Sequence, residues 1–106
     1  MDISFHSKHL RNICEDQDLA VSKFGESISK SLIDRLADLH AAYNIYDLLV
    51  GNPTIRINTD GTEICELQLQ GSSLIHFVPN HLIQPINADA SQDWKKITRI
   101  RIIKIE

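Results

Sequence analysis

The 106-residue sequence predicts an α+β domain, with helices packed on one face of a mostly antiparallel sheet. Three observations lead there. Apolar residues repeat at helical spacing from Ile28 to Tyr43, the period changes to two from Thr54 onward, and Asp60-Gly61 and Gly71-Ser72-Ser73 punctuate the alternating half as turns. The length suits a single domain over residues 1–106.

Each element has its own local reason. Met1 to Phe5 alternates, with Ile3 and Phe5 on one side and Asp2 and Ser4 on the other, as a strand does. Ser7 offers a hydroxyl to cap a first helix, along which Leu10, Ile13, Cys14, Leu19, Val21 and Phe24 carry the apolar pattern to a C-cap at Gly25. Ile28, Leu32, Leu36, Leu39 and Tyr43 define one face of a second helix, and Lys30 and Asp34 pair four apart on its surface. Ile45, Leu48 and Leu49 make a short last turn, and Gly51-Asn52-Pro53 ends helical structure. Ile55 and Ile57 then alternate with Arg56, and Cys65, Leu67 and Leu69 alternate with Glu66, Gln68 and Gln70. Ile75 and Phe77 point opposite to Leu74, His76 and Val78, and Pro79 stops that strand. Asn80 to Asp93 reads as a long loop. A last strand runs from Ile97 to Ile105, and isoleucines on both its faces predict a central place in the sheet. The face Ile28, Leu32, Leu36, Leu39 is expected to pack on Ile57, Leu67 and Phe77.

Composition excludes several classes. Apolar residues make up 42% of the chain, enough for a core and too many for a disordered tail. A net charge of −3 argues against a non-specific basic nucleic-acid binder. No apolar run reaches the roughly 18 residues of a membrane span, and the N-terminus lacks the basic start and apolar stretch of a signal peptide. Cys14 and Cys65 read as reduced, buried thiols of a cytoplasmic protein. No four-ligand zinc spacing, no Gly-x-Ser-x-Gly turn and no glycine-rich phosphate loop occurs, so neither metal nor cofactor is expected.

Charge is unevenly placed. No Lys or Arg occurs between Arg56 and Lys95, whereas Lys95, Lys96, Arg99, Arg101 and Lys104 hold five of the eleven basic residues within Trp94–Lys104. Such a patch can grip phosphates, with Trp94 free to stack on a base; the same pattern also fits an exposed strand with a solvated basic face. Arg99 and Arg101 lie two apart on one strand face and can both reach one ligand. Among five histidines, His76 and His81 flank a strand end beside a loop, where acid or base chemistry is possible. A lone histidine is more often a surface or satisfied interior residue.

Leu10-Arg11-Asn12-Ile13-Cys14-Glu15-Asp16, Arg35-Leu36-Ala37-Asp38-Leu39 with Ala41-Ala42, and Asp47-Leu48 resemble the helical half of HigB-type toxins of the RelE/ParE superfamily. Phe77-Val78-Pro79 and the run Trp94-x-x-Ile97-Thr98-Arg99-Ile100-Arg101-Ile102-Ile103-Lys104-Ile105-Glu106 resemble the strand half, so the resemblance spans the chain. It implies a RelE-like fold and the toxin of a type II toxin–antitoxin system, a ribosome-dependent mRNA endonuclease that inhibits translation. Its partners would be a helix-turn-helix antitoxin, the ribosome and mRNA, with operator DNA met only through the antitoxin and no membrane. Such enzymes set a ribose 2′-hydroxyl in line with the next phosphate, and basic side chains stabilise the developing charge. Relatives carry a basic residue where Asn58-Thr59-Asp60-Gly61 stands and an arginine near Leu74, and they often finish on an acidic residue, then Tyr and His, where this sequence has Ile105-Glu106. The candidate catalytic residues are therefore Arg99 and Arg101 with His76, and the candidate RNA-binding residues are Arg56, Trp94, Lys95 and Lys96. Two alternatives stand beside the endonuclease: a catalytically weakened relative that binds an antitoxin-like partner as a regulatory module, and a stand-alone RNA-binding domain.

Overall fold

The computed structural model describes residues Met1–Glu106. It contains strand β1 (Asp2–Phe5), helices α1 (Lys8–Glu15), α2 (Gln17–Phe24) and α3 (Glu26–Ala41), and strands β2 (Thr54–Ile57), β3 (Glu63–Gln68), β4 (Leu74–Pro79) and β5 (Arg99–Ile105). A 3-10 turn at Ile45–Asp47 follows α3. The architecture is α+β, with a five-stranded sheet in the order β1-β5-β4-β3-β2. Only the β1–β5 pair is parallel.

The expected first helix is two helices. The Ser7 hydroxyl accepts from the Leu10 amide and starts α1 as anticipated. At Asp16 the backbone leaves the helix (φ −120°), and its carboxylate accepts from the amides of Asp18 and Leu19, capping α2. An aspartate inside an apolar pattern thus acts as a second start signal. Gly25 ends α2 at φ 87°, in the left-handed region where a side chain is strained. Helix α3 stops at Ala41, so Tyr43 lies beyond it and is exposed. The Met1 ammonium donates to the carbonyls of Leu39, His40 and Ala42 at 2.9, 3.2 and 2.6 Å, placing a positive charge at the end of α3 where the helix dipole favours it.

The core lies between the helices and one sheet face. Leu32 and Leu39 of α3, Ile13 of α1 and Ala20 of α2 join Cys65, Leu67, Ile75, Phe77, Ile100, Ile102 and Ile105 in one buried cluster. Ile28 and Leu36 pack against it only partly buried, and Ile57, at the outer end of edge strand β2, is 69% exposed instead of packing under α3. Strand β5 is interior, between β1 and β4, and begins at Arg99; Ile97 is buried in the segment before it. Its isoleucines follow from a bulge rather than from two buried faces. His76 pairs with Lys104 and Phe77 with Ile102, so Ile103 has no partner and the alternation resets. Ile102 and Ile105, three apart, therefore both face the core.

Candidate nucleic-acid interface on the open sheet face

The sheet face away from the helices carries the polar partners of the core positions. Register places Thr54 beside Glu66, Glu66 beside His76 and His76 beside Lys104. It also places Arg56 beside Ile64, and Arg101 between Val78 and Ser4. A cleft of about 600 Å³ opens here, lined by His6, Asn58, Thr62, Gln84, Gln92 and Arg101 among others. Asp60 and Glu63 also border it.

Charge on this face is largely internally compensated. Arg56 Nε meets Glu66 Oε1 at 2.8 Å, Lys104 Nζ meets Glu106 Oε2 at 3.0 Å, and Arg99 Nε lies 3.5 Å from Asp2 Oδ2. Arg101 takes part in none of these pairs and reaches the cleft. Arg99 sits two residues away on the same strand but lines a separate recess with Asp2, Ser4 and Asn80. The two arginines thus line different depressions. The parallel pairing of β1 brings Asp2 directly beside Arg99, which nothing in the local sequence of the last strand announces.

His76 is 5% exposed, with Nδ1 3.6 Å from Glu66 Oε2 and Nε2 3.5 Å from Glu106 Oε1. Burial pushes its imidazole below the ordinary value; the two glutamates pull upward without overcoming the loss of hydration. The ring is too deeply enclosed to touch a substrate, which corrects its assignment as an acid or base. Trp94 requires a correction as well. It is 3% exposed, edge-on to Phe77 with centroids 6.3 Å apart, and its indole Nε1 donates to Glu63 Oε1 at 3.0 Å. An indole that fills the core and has a satisfied N–H offers no face to a base. Lys95 and Lys96 are exposed on the segment before β5. Neither lines the cleft, and Lys96 Nζ lies 3.9 Å from Asp93 Oδ2. Burial pushes the thiols of Cys14 and Cys65 up to about 12, and both cysteines are free. No cluster of three His, Cys, Asp or Glu side chains that could hold a metal ion is present.

The sequence reading missed His6, Asn58, Gln84 and Gln92 as cleft residues. Asn58 was within reach, because the Asp60-Gly61 turn fixes it beside the β2–β3 connection. Gln84 and Gln92 come from the long loop, whose path follows from tertiary contacts: Gln84 bonds Pro79 and His81, and the Gln92 amide donates to Glu63. Comparison with known proteins finds no matching family model, and no match among curated proteins or solved structures. No helix is long and apolar enough to cross a membrane.

Proposed function

We propose that this chain is the toxin component of a type II toxin–antitoxin system, a RelE-like, ribosome-dependent mRNA endonuclease of the HigB type that inhibits translation. The observation that carries the proposal is Arg101, a cation without a carboxylate partner on the open sheet face, lining a cleft large enough for a nucleotide unit. In-line attack on a phosphodiester needs positive charge where oxygen charge develops, and Arg101 can supply it. A helix-turn-helix antitoxin would hold the protein inactive by covering this face. Induction without the antitoxin tests the proposal. The wild-type chain should arrest growth and cut ribosome-bound mRNA, and Arg101→Ala should lower cleavage about 10²–10³-fold. Arg99 lies outside the cleft and beside Asp2, so Arg99→Ala should lower it much less. Cleavage unchanged in Arg101→Ala would overturn the assignment.

A specific observation favours a second reading, the catalytically weakened relative that serves as an antitoxin-binding regulatory module. Arg56, Arg99 and Lys104 are each tied to a carboxylate, leaving one arginine where phosphoryl chemistry usually enlists several cations. Absence of growth arrest from the wild type, with recovery of a small partner from the native operon, would select this reading. If neither arrest nor a partner is found, both readings fall.

A further inference from the structure

We infer that His81 is a pH-sensitive latch that fastens the His81–Gln84 stretch, and with it the part of the cleft wall that Gln84 forms, to the start of β5. One ring nitrogen makes both fastenings. Nε2 of His81 accepts from the Thr98 amide at 3.0 Å and from the Arg99 amide at 3.2 Å. Backbone amides only donate, so this nitrogen must present its lone pair and the neutral ring must carry its proton on Nδ1. The backbone of the same residue is tied as well: the His81 amide donates to Gln84 Oε1, and Gln84 Nε2 donates to the Pro79 carbonyl. Pro79 and Gln84 line the cleft, so the latch and the wall are one hydrogen-bonded unit.

A protonated imidazole is a donor at both nitrogens. Nε2 then loses both bonds at once and turns an N–H toward two others. The charged groups on the elements around the ring are Arg99, Arg101 and Lys104 on β5, Asp93, Lys95 and Lys96 on the segment leading into it, and Asp2 on β1; Asp93 lies beside Lys96, and Lys104 is paired with Glu106. Asp2 is engaged with Arg99, and the 79–84 segment carries no charge. The sheet survives release, because the Asn80 amide still donates to the Arg99 carbonyl and the Asn80 side chain to Ser4 Oγ, both at 2.9 Å. What loosens is the stretch from His81 to Gln84, whose tip residues Leu82 and Ile83 are almost fully exposed and hold nothing in place. Acidification thus frees a cleft wall without unfolding the protein, whatever ligand the cleft takes.

The test is nuclear magnetic resonance of the full chain with uniform ¹⁵N labelling. Near pH 8 the His81 ring should be the Nδ1–H tautomer, and protection of the Thr98 and Arg99 amides, corrected for intrinsic exchange, should fall at least about tenfold by about pH 5. His81→Gln, whose carbonyl can accept at either pH, should flatten that dependence, and His81→Ala should leave both amides unprotected throughout. An Nε2–H tautomer in the wild type, or equal protection at both pH values, overturns the latch. The wild-type measurements decide the question even where a variant fails to fold.

Discussion

The imidazole of His76 lies between the carboxylates of Glu66 and Glu106 and is almost cut off from water. Its folded-state pKa is lowered, chiefly by burial, so the unfolded chain takes up this proton first as pH falls. Stability from the neutral ring is complete above the ordinary imidazole range and is lost as pH drops through it. Melting temperature should therefore decline between about pH 7.5 and about pH 5.5. His76→Gln should reduce that slope; a slope unchanged in His76→Gln would show that His76 is not its source. Carboxylates act in a lower window: Asp60, held down by the Thr62 amide, and Glu106, held down by Lys104, lose their native interactions only at stronger acidity. Trp94 supplies a second residue-scale prediction. Trp94→Ala should destabilise by about 3–5 kcal/mol in a denaturant titration followed by circular dichroism, because it empties a core position and strips Glu63 of a donor. A change under about 0.5 kcal/mol, the size expected at the surface, would contradict this placement. The neighbours of His76 were legible by counting outward from Gly71-Ser72-Ser73, which sets Glu66 opposite His76. Its burial was not, because Lys104 on β5 and Glu106 just after it, which cover it, arrive about thirty residues later in sequence.

Helix α3 ranks its own apolar positions. Leu32 and Leu39 are fully buried, whereas Leu36 between them is only partly so. Leu32→Ala and Leu39→Ala should each cost about 2–5 kcal/mol, and Leu36→Ala less than either. Equal losses at all three positions would mean the stripe is centred on Leu36. The spacing in the sequence located this stripe correctly but could not say which residue lay deepest, since that depends on how the helix sits over the sheet. A similar limit explains Ile57: alternation gave its face, but not that β2 is an edge strand ending beyond the cover of α3. Gly51 links helix to sheet. Its φ is 95°, and a Cβ there would come within 2.5 Å of the Leu67 side chain. Gly51→Ala should therefore destabilise by about 1–3 kcal/mol through strain and overpacking. A stabilised Gly51→Ala, as at an unstrained glycine, would show that this backbone relaxes freely. Gly51 was readable as a helix breaker; its approach to Leu67 was not, because the contact joins segments sixteen residues apart. The bulge at Ile103 was invisible for the same reason. It exists only in the pairing of β5 with β4.

At the scale of the molecule, charge decides how this protein can meet RNA. Fourteen acidic residues outnumber eleven basic ones. On the open sheet face Arg56, Arg99 and Lys104 each face a carboxylate, which leaves Arg101, with Lys95 exposed outside the cleft. An arginine held by a carboxylate must break that pair before it reaches a phosphate, so it is less available to displace the counterions condensed on the RNA and adds less to the salt dependence of binding. Counting Arg101, Lys95 and the loosely paired Lys96 gives about two to three phosphate contacts, and hence a slope of log K against log salt near −2 for single-stranded RNA. Affinity for naked RNA should be weak, with a Kd near or above about 100 µM at physiological salt. Fluorescence anisotropy with a short labelled RNA between about 0.05 and 0.2 M salt measures both quantities. A slope steeper than about −4 with micromolar affinity would mean that the ion pairs of the sheet face open to receive phosphates, and the stand-alone RNA-binding alternative would then gain. A shallow slope fits a protein that relies on a larger surface to present its RNA. In the toxin reading that surface is the ribosome, and the internal ion pairs then keep the sheet face from binding nucleic acid indiscriminately while Arg101 stays free for one phosphate.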